Sequence, residues 1–276
     1  MMFRENNRPG KMMILGHRGS PREAPENTIP SFLTALERGA DGIELDVTLS
    51  RDKALIIIHD YTLSRTTDGR GLAARRTLEQ LKSLDAGSYF SRQFAGTRIP
   101  TLQEVIEALG RKAFIMIEIK TSLVGANMET ADAVAAVVAR HDLYKRVVVS
   151  SFNPFALVRT RKTDPHIPVG LLHFPLVPSL LQRGSFADMV RPAVLHPHHR
   201  LVNRKYMEQA RMLGCRVIPW TVNAEEDLNR MMQMGVDGVI TDYPGRIRKV
   251  LAKSKRGLFL FKDAERGERK ECPQLN

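Results

Sequence analysis

Two cysteines stand in 276 residues, Cys215 in an apolar segment and Cys272 in a polar one. That spacing and context argue against a structural disulfide, and a chain this long buries a large core without one. Sparse cysteine also fits a reducing compartment. Long hydrophobic runs are missing: no stretch approaches the ~18 apolar residues of a membrane span. Met1–Lys11 is polar and charged and has no apolar signal core, so the expected location is cytoplasmic. The glycine-rich dinucleotide fingerprint does not follow the first apolar run, which weakens the case for a doubly wound nucleotide-binding sheet.

Acidic residues are the scarcer charge. The formal net charge is +12, and half of it lies in residues 246–276, which hold ten Lys/Arg against four Asp/Glu. The body of the chain then reads as an ordinary solvated surface that favours anionic substrates by steering. No nucleic-acid motif accompanies the basic tail, so nucleic acid is not expected as a partner. Weak contact with anionic membranes is the expectation for residues 253–276.

Short apolar, β-branched runs alternate with helical patterns. Strands are expected at 12–16, 42–49, 54–58, 113–119, 146–150, 167–172, 192–195, 215–219 and 236–240. Helices are expected at 28–38, 101–110, 128–140, 154–161, 204–213, 224–233 and 244–252. Asn27 or Thr28 can cap the first helix, and Thr101 with Glu104 reads as a capping box. Gly39, Gly110, Gly214 and Gly235 fall where helices should stop. About eight strand–helix units over this length give a TIM (β/α)₈ barrel of class α/β. The rhythm breaks at 61–100, which reads as a small inserted cap subdomain after the second βα region. The expected organisation is a barrel over 12–252, with the cap inside it, and a basic tail at 253–276 that carries a short apolar patch at Leu258–Phe261.

Four polar motifs close apolar runs: Gly16-His17-Arg18-Gly19, Glu44-Leu45-Asp46, His59-Asp60 and Glu118-Ile119-Lys120. Alternation along a strand puts Glu44 and Asp46 on one face and Ile43, Leu45 and Val47 on the other. The helix-facing side of a barrel must be apolar, so the carboxylates point inward, where charge is costly unless paired or bound to metal. Three carboxylates without cysteine suit a hard cation, Mg²⁺ or Ca²⁺. Ion pairing with Arg18 and Lys120 is the plainer alternative for any one of these motifs. His17 and His59 are able to supply an acid and a base near neutrality, or else to serve as hydrogen-bonded core residues or metal ligands. Arg18 and Lys120 carry charge suited to phosphate.

These residues resemble the signature of the glycerophosphodiester phosphodiesterase family, in its bacterial cytosolic form. The resemblance includes Pro25-Glu26-Asn27-Thr28 and Trp220-Thr221-Val222-Asn223, runs to Asp237–Pro244, and covers roughly residues 12–250. It implies a TIM barrel with a subdomain inserted after the His59 strand. It also implies metal-dependent hydrolysis of glycerophosphodiesters, as small-molecule substrates, to sn-glycerol 3-phosphate and an alcohol. Carried over by position, Glu44, Asp46 and Glu118 bind one divalent cation and His17 and His59 form the acid–base pair. Arg18 and Lys120 hold the phosphate, and Trp220 walls the pocket. Water or a neighbouring glycerol hydroxyl is the attacker. A lysophospholipase D-like activity and a non-catalytic phosphate-binding barrel are the alternatives.

Other residues read more plainly. Trp220 suits a core position as well as a pocket wall, and Asn27 suits either a helix cap or a contact with the first-strand loop. His196, His198 and His199 find no further ligand at metal spacing and read as exposed or structural. Met231, Met232 and Met234 suit helix packing, and Cys215 packs as a small hydrophobe.

Overall fold

Gly42–Leu49 (β2) shows how the sequence builds the molecule. Its Ile43, Leu45 and Val47 join the apolar layer of Phe32, Val105 and Val134 beneath the helices. Glu44 and Asp46, on the opposite pleat face, are buried inside the sheet. The computed structural model describes residues 12–110, 113–120, 128–174 and 184–257. Leu258–Phe261 and the rest of the expected tail beyond residue 257 lie outside these.

β1 (Met13–His17), β2, β4 (Phe114–Ile119), β5 (Val147–Ser151), β6 (Val169–His173), β7 (Val194–Pro197), β8 (Arg216–Val217) and β9 (Gly238–Thr241) are the parallel strands. They run in the spatial order β8-β7-β6-β5-β4-β2-β1-β9. The two ends meet through backbone bonds from Asp237 N–H to the Val217 carbonyl and from Ile240 N–H to the Pro219 carbonyl, at 2.9 Å each. This is a TIM barrel. Met13, Leu15, Met116, Val148, Val194, Ile218 and Ile240 fill its interior.

Helices α1 (Ile29–Glu37), α3 (Leu102–Leu109), α4 (Glu129–Arg140), α5 (Pro154–Thr163), α7 (Arg204–Met212), α8 (Glu225–Met234) and α9 (Pro244–Gly257) match the expected segments. α9 carries the first five residues of the expected tail. Thr28, rather than Asn27, caps α1 by accepting from Ser31 N–H, and Thr101 and Glu104 form the expected capping box on α3. Helix α6 (Gly184–Val190) was not foreseen, because Gly-Ser-Phe-Ala-Asp-Met-Val has too few periodic apolar positions to signal one.

One strand departs from the parallel expectation. β3 (Leu55–Ile57) pairs antiparallel with the upper end of β2, Val47 opposite Ile57. It turns the chain back toward the barrel, so Ile58 N–H bonds the Asp46 carbonyl at 3.0 Å. Residues 61–100 follow, with the short helix α2 (Leu78–Ser83) and an apolar cluster in which Leu63, Leu81 and Ile99 pack with Ile56 and Ile58. Among the described residues no helix is long and apolar enough to cross a membrane.

Candidate active site

Strand register assembles the site. His17 stands opposite Glu44 across β1 and β2, and Asp46 stands opposite Glu118 across β2 and β4. All three carboxylates are at least nine-tenths buried, and each offers an oxygen within 4.8 Å of the others. The cluster lies at the C-terminal ends of the strands, where barrels carry their active sites.

The loop after β1 wraps this cluster. Arg18 adopts φ 54° and Asn27 φ 57°, left-handed conformations that cost non-glycine residues energy. Arg18 N–H thereby donates to Glu44 Oε2 at 2.9 Å, and Asn27 Nδ2 to Asp46 Oδ2 at 2.8 Å. Asn27 is thus a partner of the acidic cluster rather than a helix cap. Gly19, at φ 91°, lets the turn pass Ser31, whose Oγ would lie 2.3 Å from an added Cβ.

Two cations face the carboxylates. Lys120 Nζ lies 2.8 Å from Glu118 Oε1 and 3.5 Å from Asp46 Oδ1, and Arg18 Nε lies 3.3 Å from Asp46 Oδ2. Burial alone would raise the Asp46 carboxyl, but Lys120 and Arg18 hold it below the usual range. Glu118 is raised, chiefly by burial. Glu44 is pushed up to about 8 by burial and by the charge of Asp46. Among the described residues Glu44 has no lysine or arginine ion-pair partner. Three buried carboxylates against two cations, one of them shared with Glu26, leave an excess of negative charge. Residues of this oxygen-donor type fit a divalent cation, which would remove that excess. Ion pairing with Arg18 and Lys120 is present as well, and it does not balance the cluster.

The two histidines sit in different fields. His17 Nδ1 lies 2.6 Å from Asp242 Oδ1, and Asn223 Nδ2 holds the other Asp242 oxygen at 2.7 Å. Burial pulls the His17 pKa down, but the Asp242 hydrogen bond and the charge of Glu44 outweigh it, and the net shift is upward. His59 Nδ1 lies 2.6 Å from Asp60 Oδ1. Here burial prevails, with Lys120 and Arg18 adding to it, and the pKa falls despite Asp46 and Asp60. Each carboxylate engages Nδ1 and leaves the other ring nitrogen, Nε2, clear of that contact.

Trp220 is half-buried and donates from Nε1 to the His196 carbonyl at 2.9 Å. Its ring lies 5.5 Å from Phe152, 5.9 Å from Phe174 and 5.3 Å from His198, forming an aromatic wall beyond β5–β8. His196 is buried in the barrel on β7. His199 pairs with Asp227 at 3.0 Å. The structural reading therefore holds for both, and they are not part of the acidic cluster. Asp242 and Asn223 were missed as site residues. Their signal was the same as for the others, a polar residue closing an apolar run, at Ile240-Thr241-Asp242 and Val222-Asn223.

The mouth of this TIM barrel joins a carboxylate cluster that could hold a divalent cation to two carboxylate-anchored histidines, a set of groups suited to a hydrolase. Residues 17–246 match the model of the glycerophosphoryl diester phosphodiesterase family, and the chain belongs to that family. It is 40% identical over 244 residues to a glycerophosphodiester phosphodiesterase of Caldanaerobacter subterraneus subsp. tengcongensis, covering 88% of this chain and 99% of the relative. A phosphodiesterase of Oleispira antarctica, solved in complex with the product sn-glycerol-3-phosphate, superposes with TM-score 0.79 at 35% identity, covering 87% of this chain and 96% of that one. The glycerophosphodiester phosphodiesterase of Thermotoga maritima gives TM-score 0.72 at 29% identity, over 88% and 100% of the two chains.

Proposed function

We propose that this chain hydrolyses glycerophosphodiesters to sn-glycerol 3-phosphate and an alcohol. The observation that carries the chemistry is the unbalanced cluster of Glu44, Asp46 and Glu118 lying between two histidines of opposite pKa shift. Glu44, Asp46 and Glu118 would hold one divalent cation, Mg²⁺ or Ca²⁺. When bound, that ion supplies positive charge against the non-bridging phosphate oxygens. Arg18 and Lys120 orient the phosphate.

His59, the histidine with the lowered pKa, is neutral near pH 7 and takes a proton at Nε2 from the attacking hydroxyl. His17, the one with the raised pKa, gives a proton to the leaving alkoxide as the P–O bond to the alcohol breaks. The attacker is water, or a glycerol hydroxyl whose cyclic phosphate a water then opens. Trp220 helps wall the substrate pocket. The barrel spans 12–252 with 61–100 as its cap. The basic residues 253–276 make weak contact with anionic membranes, and the protein works in the cytoplasm.

The test is to strip metal from the protein, incubate it with glycerophosphocholine or glycerophosphoethanolamine, and add back Mg²⁺ or Ca²⁺. Metal-dependent release of glycerol 3-phosphate is expected, with kcat lowered about 10²–10⁴-fold in His17→Ala. Release that needs no metal removes the cation from the proposal. Turnover only on lysophosphatidylcholine replaces it with the lysophospholipase D reading.

A further inference from the structure

Residues 61–100 send one side chain back to the site. Arg65 lies in a stiff turn: Leu63, Thr66 and Thr67 around it are buried, and Thr67 bonds the Leu63 carbonyl through both its N–H and its hydroxyl. From there the guanidinium grips two carboxylates at once. Nη1 and Nη2 donate to the two oxygens of Glu26 at 2.8 Å each. Nε and Nη2 donate to the two oxygens of Asp60 at 2.6 and 3.1 Å.

Each carboxylate passes the contact on. Asp60 Oδ1 holds His59 Nδ1 at 2.6 Å, and Glu26 Oε1 accepts from Arg18 Nη1 at 2.9 Å. We propose that Arg65 is a positioning residue that sets His59 through Asp60 and Arg18 through Glu26. The inserted segment is thereby coupled to the base and to the phosphate clamp by a single side chain. This role deepens the phosphodiesterase reading of the same site and rests on it.

The chemistry explains why arginine suits the position. A planar fork makes paired bonds to two carboxylates, whereas a lysine ammonium is a point charge with no such geometry. With Asp60 and Glu26 fixed, the His59 ring keeps Nδ1–H on Asp60 and Nε2 free, and the Arg18 guanidinium keeps its place over Asp46. Small displacements of groups like these are costly in rate.

The experiment measures glycerol 3-phosphate release by holoenzyme carrying Arg65→Ala, Arg65→Lys, or Glu26→Ala/Asp60→Ala with and without Arg65→Ala. Arg65→Ala should lower kcat about 10- to 100-fold, with Tm within about 3 °C of wild type because the side chain is half-exposed. Arg65→Lys should recover little. Removing Arg65 from the Glu26→Ala/Asp60→Ala protein should cost under about twofold, since the groups it acts through are gone. A wild-type kcat, a full rescue by lysine, an equal loss in both backgrounds, or a Tm that falls in step with kcat each overturns the role.

A second readout does not depend on turnover. The ¹⁵N spectrum of the neutral His59 ring should show the proton on Nδ1 in wild type and a mixture of tautomers in Arg65→Ala. An unchanged Nδ1–H signal overturns the positioning role. If the wild-type protein releases no glycerol 3-phosphate, the phosphodiesterase reading fails, and this spectrum alone decides whether Arg65 orients the ring.

Discussion

At the scale of single residues, the two histidines show how position sets chemistry. Both are imidazoles anchored at Nδ1 by a carboxylate, yet their pKa values move apart: at His17 the Asp242 hydrogen bond and the charge of Glu44 outweigh burial, whereas at His59 burial prevails and Lys120 adds to it. The carboxylate on His17 can be tested directly. Asp242→Asn removes the hydrogen bond that favours the imidazolium, so the His17 pKa falls. The rate limb that needs protonated His17 falls as pH rises through its pKa, so the variant should lose activity at lower pH than wild type. Profiles of kcat/KM against pH check this, and an unmoved alkaline limb rules out Asp242 as the group that sets His17. The sequence showed His17 and Glu44 because each closes an apolar run. It did not show that Asp242 belongs with them, since 225 residues separate His17 from Asp242 and only the barrel's closure brings them together, nor that Arg65 turns back from residues 61–100 onto Asp60 and Glu26.

At the scale of elements, alternation and apolar runs located the nine strands and most of the helices. Strand direction was another matter. Leu55–Ile57 is as apolar as its neighbours, and nothing in its composition tells an antiparallel return from a parallel barrel strand. That return is what carries His59 to the mouth. Close strand packing gives a prediction at the same scale. A Cβ added at Gly42 would lie 2.1 Å from the Phe114 carbonyl oxygen and 2.7 Å from Phe114 Cβ, so β2 and β4 must part there. Gly42→Ala should cost about 1–3 kcal/mol, or roughly 2–12 °C in Tm at this chain size. Glu44 and Asp46 lie two and four residues further along the same strand, so Mg²⁺ or Ca²⁺ affinity should weaken as well. Thermal unfolding and metal titration measure the two effects. A Tm equal to wild type would mean that the strands absorb the methyl group without parting.

At the scale of the whole molecule, the barrel interior is apolar below and charged above, and burial shifts titrations through much of it. His196 is buried inside the barrel on β7 and is pushed down to about 4 by desolvation, with the Ile218 carbonyl, 3.0 Å from Nδ1, offsetting only part. The unfolded chain takes up this proton near pH 6.5. The unfolded state therefore binds more protons between those values, and stability rises with pH across the window. The contribution is complete above about 6.5 and lost as pH drops through 4, for a total of about 3 kcal/mol. Glu44 acts in the opposite sense in the cation-free protein. Its raised pKa adds stability that is complete below the unfolded carboxylate value and lost as pH rises through about 8. A divalent cation held by the cluster would keep Glu44 ionised and remove that loss. Wild type and His196→Asn share Glu44, so the difference between them isolates the histidine. Urea midpoints of both proteins at pH 7 and pH 4.5, with metal removed, should show a smaller acid loss in the variant. Equal losses would mean that the folded barrel accommodates a charged His196, and acid sensitivity would then have to come from the carboxylates at the mouth.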